Sequence, residues 1–435
     1  MPYSIPVVKS LDFFYQSRYD RRELKWCKTM APSEETATFK KGFGLKSLIQ
    51  KELENDYQSS LIDAIRTNGN TFRVGQLYFY LAKEFGFCYG VEKAIDYAYQ
   101  THRQFPDRPI YLTAELIHNP RVNNLLRRMG IRFINGDGEG DKSIEQVTQE
   151  DVVVIAAFGA PTDQMEILQK KGCVLVDTTC GSVVHVWKRV ERYSQDGFTA
   201  VVHGNYHHEE TQATTSRATQ SPNGKYLVVW DKEEAEKICH FIRQGGDSRE
   251  FLSWFGKKCS TGFNPNQDLE HIGVANQTTM LASESLYIAG MLRSALIDRY
   301  GKTEIDKHFR SFETICSATQ DRQDAVKELL QRSLDFMIVI GGFNSSNTTH
   351  LAEMTDAIIP TYHIDDSDCI LSPNEIRHKP VGQRDPMISA NWRIPEPVTI
   401  GLTAGASTPN RVIADTIQKI LSCYGYFADQ IQLTT

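Results

Sequence analysis

The chain has no apolar run that approaches the roughly 18 residues of a membrane-spanning helix, so a membrane protein is not expected. It also has no excess of one charge. Its 48 Lys and Arg against 54 Asp and Glu leave a formal net charge of −6. With no basic stripe along it, a nucleic-acid partner is not expected either. Cysteine is sparse: nine in 435 residues are too few for a disulfide scaffold, and an odd count leaves at least one unpaired. A reducing, cytoplasmic setting is the expectation. Met1 to Val8 lack a charged stretch followed by an apolar core, and Asp12 and Asp20 come early. Neither a signal peptide nor a transit peptide is expected. Internal repeats and low-complexity segments are missing too.

What remains is an ordinary globular composition, 40% hydrophobic and 23% charged, long enough for two or three full-sized cores. Residues 1–70 are charged and weakly periodic and read as an N-terminal extension, with a helical stretch around Leu45–Leu61. From about residue 71 short β-like runs alternate with amphipathic helices. The runs are Leu77–Leu81, Pro109–Leu112, Val152–Ala156, Val174–Val176, Ala200–Val202, Tyr226–Val229, Gly273–Ala275, Phe336–Ile340 and Val398–Leu402. Such alternation predicts an α/β fold with mostly parallel sheets. Ligands then bind beyond the carboxyl ends of strands, in loops that enter helices. Gly245–Arg249 and Gly256–Asp268 read as surface loops.

Three cysteines stand at such places. Cys88 lies in GFCYGV, Cys180 in DTTC and Cys316 in TICSAT, each leading into a helical run. A helix start offers free N–H groups and a positive dipole end, which favour a thiolate. Three thiolates brought together suit a metal or iron–sulfur centre with one position left open, as a catalyst needs. The plain alternative is three separate buried cysteines acting as small core residues.

Other segments carry complementary chemistry. Gly341 to Thr348 (GGFNSSNT) and Thr403 to Pro409 (TAGASTP) each follow a strand-like run and precede a helix. Glycines allow close backbone turns, Ser and Asn supply short donors, and a helix start binds anions. Two neutral, donor-rich cradles fit a diphosphate, although ordinary helix capping by Ser and Asn would look similar. The segment His203 to Thr211 (HGNYHHEET) gathers three histidines and two carboxylates behind another strand. It fits a zinc site, or a proton donor whose pKa is raised beside a bound anion. His118 stands just before a helix, within Glu115-Leu116-Ile117-His118-Asn119-Pro120, and Thr278 lies in NQTTM, where a helix cap is the plain reading.

Taken together, GFCYGV, HNPRV, DTTC, HHEET, NQTTM, TICSATQDRQ, GGFNSSNTTHL and TAGASTPN, in this order over roughly residues 71–420, resemble the 4-hydroxy-3-methylbut-2-enyl diphosphate reductase family. AAFGAP around Phe158 and the long N-terminus look like its plant and cyanobacterial branch. The resemblance implies three α/β domains around a central iron–sulfur cluster, with boundaries expected at 71–179, 180–315 and 316–435. It implies one [4Fe–4S] cluster per chain, held by Cys88, Cys180 and Cys316, with the fourth iron free to take the substrate hydroxyl. It implies Glu210 as proton source, Thr278 as a bridge to that hydroxyl, and His118, His208, Ser345, Ser346, Asn347 and Ser407 as diphosphate contacts. The implied reaction is reductive dehydroxylation of an allylic diphosphate to isopentenyl and dimethylallyl diphosphates, the last step of the non-mevalonate isoprenoid pathway. A ferredoxin or flavodoxin is the implied class of electron donor.

Three departures from the family pattern stand out. Gly181 follows Cys180 where proline is usual, Phe158 takes the place of a substrate-pocket histidine of the shorter bacterial branch, and Asn205 replaces a usual lysine. Phe158 is expected as an apolar pocket wall, with His203 or Asn205 offsetting the missing donor. The competing functional readings are another cluster-dependent reductase or dehydratase of a phosphorylated substrate, a non-catalytic redox sensor, and a zinc hydrolase built on His207, His208 and Glu210.

Overall fold

The structure is a computed structural model that describes residues 37–312 and 314–433. Cys27 and most of the expected N-terminal extension lie outside the described residues. The chain folds as three α/β domains with mostly parallel sheets. The first sheet runs, in spatial order, Thr38–Phe39, Val174–Asp177, Val152–Ile155, Ile110–Leu112 and Arg132–Phe133, all parallel. The second runs Phe309–Ser311, Ile272–Asn276, Thr199–His203 and Tyr226–Val229, also parallel. The third runs Thr361–Ile364, Phe336–Ile340, Val398–Ala404, Leu77–Leu81 and Thr71–Val74, with only the last strand antiparallel. A separate hairpin pairs Glu375–His378 with Met387–Ala390.

The central strands explain their own placement. Val152–Ile155, Thr199–His203, Ile272–Asn276 and Phe336–Ile340 are buried at every position, as strands covered by helices on both faces must be. Leu77–Leu81 instead alternates, with Leu77, Phe79 and Leu81 inward. Phe79 stacks on Phe72 at 4.5 Å between ring centroids. Both belong to the core that also holds Phe336, Ile400 and Trp392.

Four expectations about organisation are corrected here. Leu77–Leu81 and Thr71–Val74 precede Cys88 within the expected segment 71–179, yet they complete the sheet of the C-terminal segment. The described part of the expected extension is built into the fold. Thr38–Phe39 is an edge strand of the first sheet, and Ile49 and Tyr57 of the helix Lys46–Tyr57 pack in that sheet's core. Ile62 and Ile65 of a second helix, Ser60–Thr67, pack in the third core. The expected single helix around Leu45–Leu61 is thus two, separated at Gln58 and Ser59. Of the expected surface loops, Gly245–Arg249 runs into the start of the helix Ser248–Phe255, and Gly256–Asp268 ends in the helical turn Pro265–Asp268. Each is capped by an Asp or Asn side chain.

The consequence for function is geometric. Loops leaving the carboxyl ends of strands in all three sheets enter helices around one shared cavity. Among the described residues no helix is long and apolar enough to cross a membrane.

Candidate active site

Cys88, Cys180 and Cys316 are each the residue immediately before a helix: Tyr89–Gln104, Gly181–Gln195 and Ser317–Leu329. All three have extended backbone, so each side chain leaves the helix axis at the point where the strand-side loop ends. All three line one cavity of about 80 Å³. The loops are laced together by the cysteines' own N–H groups. Cys88 donates to Ala406 O at 3.1 Å, Cys180 to Ala157 O at 2.9 Å and Cys316 to Thr278 O at 3.3 Å, and each acceptor residue lines the same cavity. The sulfurs of Cys88 and Cys180 lie within 3.9 Å of one point, the place a β-carbon on Gly90 would occupy. Cys316 Sγ is held by the N–H of Thr319 at 3.3 Å and by its hydroxyl at 3.0 Å.

Burial modifies the expected thiolate character. It pushes the Cys88 thiol up and the Cys316 thiol up to about 11, against the pull of N–H groups at the helix starts. The helix-start effect is thus outweighed by the loss of water, and thiolates at Cys88 and Cys316 need a cation to stabilise them. Of the other described cysteines, Cys173, Cys239, Cys259, Cys369 and Cys423 are buried within the hydrophobic cores.

Glu210 closes one side of the cavity. It lies in the first turn of the helix Glu209–Ala218 and is 1% exposed. His208 caps this helix, its side chain accepting from the Glu210 N–H. Neighbouring positions on a helix point about 100° apart, so only one of the two carboxylates enters the cavity. That one is Glu210, while Glu209 is half-buried outside it. Both oxygens of Glu210 are bound by Thr278, by its N–H at 2.6 Å and its hydroxyl at 3.0 Å. Burial raises the Glu210 carboxyl to about 7, although both Thr278 hydrogen bonds oppose the rise.

Another part of the lining is neutral and rich in polar side chains. Ser345 caps the helix Ser346–Asp356. Ser346 Oγ accepts from Gln277 Nε2 at 3.0 Å, and Asn347 Oδ1 accepts from Ala406 N at 2.9 Å. Asn347 Nδ2 is buried without a partner, an unspent donor facing the region where an anion would sit. Ser407 donates to His118 O at 3.0 Å. Gly341 and Gly342 permit this close approach. A β-carbon on Gly341 would meet Thr348 Oγ1 at 2.7 Å, and one on Gly342 would meet His118 O at 2.6 Å. His118 and His208 complete the wall, their Nε2 atoms in hydrogen-bond contact. Phe158 stacks on the His118 ring with centroids 4.3 Å apart and meets His208 edge-on at 5.2 Å.

Every candidate residue named from the sequence (the three cysteines, Glu210, Thr278, His118, His208, Ser345, Ser346, Asn347 and Ser407) lines this one cavity. Two subsidiary expectations are not met. His203 is fully buried elsewhere, its nitrogens bound to Ser285 Oγ at 2.8 Å and Trp230 O at 3.1 Å, and Asn205 does not line the cavity. Neither can replace the donor missing at Phe158. The zinc trio fails as well. His207 is exposed and lies against Tyr206, while both oxygens of Glu210 are engaged by Thr278. His118, His208 and Glu209 do bring donor atoms within 4.8 Å of one another, but the two imidazoles spend theirs on each other.

Several contributors escape notice in the sequence. Gln277 Nε2 binds both Thr279 Oγ1 at 2.7 Å and Ser346 Oγ at 3.0 Å, joining the second domain to the third. Glu115 accepts from His118 Nδ1 at 3.0 Å and from Asn344 Nδ2 at 2.8 Å. The only signal for Glu115 is its position three residues before His118. Arg322, on the helix after Cys316, is 4% exposed and reaches back to Gly86 O near Cys88.

Three α/β domains that bring three thiols at helix N-cap positions and a buried acid to one cavity define an enzyme site rather than a simple binding module. The family model described as "LytB protein" matches residues 79–421. A 4-hydroxy-3-methylbut-2-enyl diphosphate reductase of Gloeobacter violaceus is 48% identical over 89% of this chain and 93% of its own length. That of Cyanothece sp. is 47% identical over 88% and 93%. The structure of a Plasmodium falciparum E-1-hydroxy-2-methyl-but-2-enyl-4-diphosphate reductase shares the fold, with a TM-score of 0.56 and 21% identity over 79% of this chain and 87% of that one. The chain belongs to the LytB family.

Proposed function

We propose that the chain is a 4-hydroxy-3-methylbut-2-enyl diphosphate reductase, which converts that allylic alcohol to isopentenyl and dimethylallyl diphosphates, the last step of the non-mevalonate pathway. The observation that carries this reading is the convergence of Cys88, Cys180, Cys316 and Glu210 on one cavity that the neutral polar residues Ser345, Ser346, Asn347 and Ser407 also line. The donor set fits a [4Fe–4S] cluster, one per chain. Three cysteines line the cavity and no fourth does among the described residues. Gly90 leaves the space beside two of the sulfurs that a β-carbon would fill. When bound, such a cluster supplies electrons and an open iron acting as Lewis acid on the leaving hydroxyl oxygen.

The protein's own part is binding, orientation and proton supply. Ser345, Ser346, Asn347 and Ser407, with His118 and His208, hold the diphosphate at the start of the helix Ser346–Asp356, where free N–H groups and the dipole favour anions. Thr278 bridges between Glu210 and the substrate hydroxyl. Glu210, with its proton retained near neutral pH, gives it to the departing oxygen. The balance is two electrons and two protons per substrate, with loss of one water. Phe158, Val91, Val183 and Ile117 give the middle of the cavity an apolar lining suited to the five-carbon chain. The electrons come from a one-electron carrier of the ferredoxin or flavodoxin class. The eight described cysteines are all unbridged, which fits a cytoplasmic, reducing compartment.

The decisive experiment is an anaerobic assay of reconstituted protein with the allylic diphosphate and an artificial one-electron reductant, read by product analysis and iron content. Formation of both five-carbon diphosphates is expected. Iron-loaded protein that leaves this substrate unchanged would overturn the reading.

A further inference from the structure

We propose that Arg322 is the built-in counter-cation of the sulfur-bound centre, a positioning residue that sets how readily the centre accepts an electron. This rests on the cluster reading given above and extends it to a residue outside the ligand set.

The case begins with an electrostatic debt. The Arg322 side chain is 4% exposed, and among the described residues it makes no ion pair with any carboxylate. One terminal nitrogen donates to Ala318 O at 2.7 Å and the other to Gly86 O at 2.5 Å, while Nε is buried with no partner. A guanidinium stays charged in proteins, and burying an unpaired charge costs several kcal/mol. Neutral carbonyls satisfy two of its groups and do not neutralise it. Loss of water opposes its charge, and the acidic groups near enough to favour it are Cys88, Glu84, Cys316 and Asp321, in decreasing order. In turn Arg322 favours charge on Cys88.

The position is as specific as the charge. Gly86 lies two residues before Cys88 and Ala318 two residues after Cys316, so one guanidinium bridges the two ligand-bearing segments, reaching a carbonyl 236 residues away from Arg322 in the chain. A neutral side chain could serve as a strut here. A buried arginine with an unspent Nε and no ion pair, bridging the two thiol loops, fits a thiol set that carries net negative charge in the working enzyme. Three thiolates around an iron–sulfur core supply it, and uptake of one electron from a reductant makes it more negative by one unit. A cation held beside the centre therefore stabilises the reduced form more than the oxidised one.

The test is an anaerobic redox titration of reconstituted wild type, Arg322→Gln and Arg322→Lys with dithionite, followed by absorbance and electron paramagnetic resonance, beside melting of the metal-free proteins. Arg322→Gln keeps donors and loses charge. Its reduction equilibrium is expected to weaken on the order of tenfold, a fall of about 59 mV for one electron. Arg322→Lys keeps the charge and should titrate close to wild type. Arg322→Gln that loads iron and titrates at the wild-type potential would overturn the proposal. So would Arg322→Lys that fails to load iron while its metal-free form melts like wild type, since Arg322 would then matter for shape and not for charge. Wild-type protein that takes up no iron would overturn the cluster reading itself and this inference with it, which separates the two failures.

Discussion

The imidazoles of His118 and His208 meet nitrogen to nitrogen, with their Nε2 atoms 3.1 Å apart. Their other partners fix which nitrogen carries hydrogen. The N–H of Glu210 donates to His208 Nδ1 at 3.1 Å, so the hydrogen of His208 sits on Nε2 and points at His118. His118 Nε2 then accepts, and its Nδ1–H donates to Glu115 Oε2 at 3.0 Å. Burial pushes His208 down to about 3, so it enters this chain neutral. Glu115 anchors the far end, and its carboxyl is held below the usual range despite burial by its bonds to His118 and Asn344.

Glu115 therefore positions the anion wall without touching an anion. Glu115→Ala should leave His118 free to turn and weaken binding of inorganic pyrophosphate roughly tenfold, the scale of one lost hydrogen bond to a charged group. Glu115→Gln keeps an acceptor oxygen and should retain most of the affinity. Calorimetric titration of the three iron-loaded proteins checks this, and an unchanged dissociation constant in Glu115→Ala would remove the role assigned to it.

Glu210 links turnover to pH. Its folded-state pKa of about 7 stands above its ordinary value near 4.5, so the proton is present below neutrality and lost as pH rises through about 7. Activity should fall over that same interval. The stability linked to this protonation has the same sign: fully present below the unfolded value and lost as pH rises through the folded one. Glu210→Gln should keep iron and pyrophosphate affinity, lose turnover roughly a hundredfold, and flatten the linked change in melting temperature. Normal turnover in Glu210→Gln alongside loss in Glu209→Gln would move the acid to Glu209.

Phe158 stacks on His118 and cannot donate to an anion through its side chain. Phe158→His adds a donor while keeping a flat ring in the stack. Activity should persist, with the apparent substrate affinity altered by no more than a few fold. Iron analysis of the same variant checks the assignment from the other side, because loss of iron would make Phe158 a packing residue for the cysteine loops.

Much of this site is legible in the sequence for a physical reason. Its residues are chemically costly types placed where a strand run gives way to a helical one, and in a parallel sheet those places face one end of the strands. What is not legible is set by partners distant in the chain. The two-residue strands Thr38–Phe39 and Arg132–Phe133 are too short to show a period of two. Leu77–Leu81 reads plainly as a strand, but nothing in its five residues says that its neighbour is Val398–Leu402. The helix Glu209–Ala218 is obscured by four threonines and serines, poor helix formers held in place by burial. Arg322 looks like an ordinary helical surface residue until Gly86 is brought to it.

Two glycines at the cysteine end should respond oppositely to the same change. Gly181 opens the helix after Cys180, and a β-carbon there would meet nothing within 4 Å. Gly181→Ala should fold normally, take up a full complement of iron, and gain about 0.4–1 kcal/mol by narrowing the unfolded ensemble. Proline, which suits a first helical position, should be tolerated there as well. Gly90 is the second residue of the helix Tyr89–Gln104, and its β-carbon would lie 2.7 Å from Cys180 Sγ. In the metal-free protein that sulfur can rotate away, so Gly90→Ala should melt close to wild type. With the sulfur required at one point beside Cys88, the same rotation is forbidden, and iron per chain should fall sharply. Melting curves of the metal-free proteins and iron content after reconstitution separate the two effects. A Gly90→Ala protein that reconstitutes fully would show that Cys180 is not held where the three-thiol site needs it.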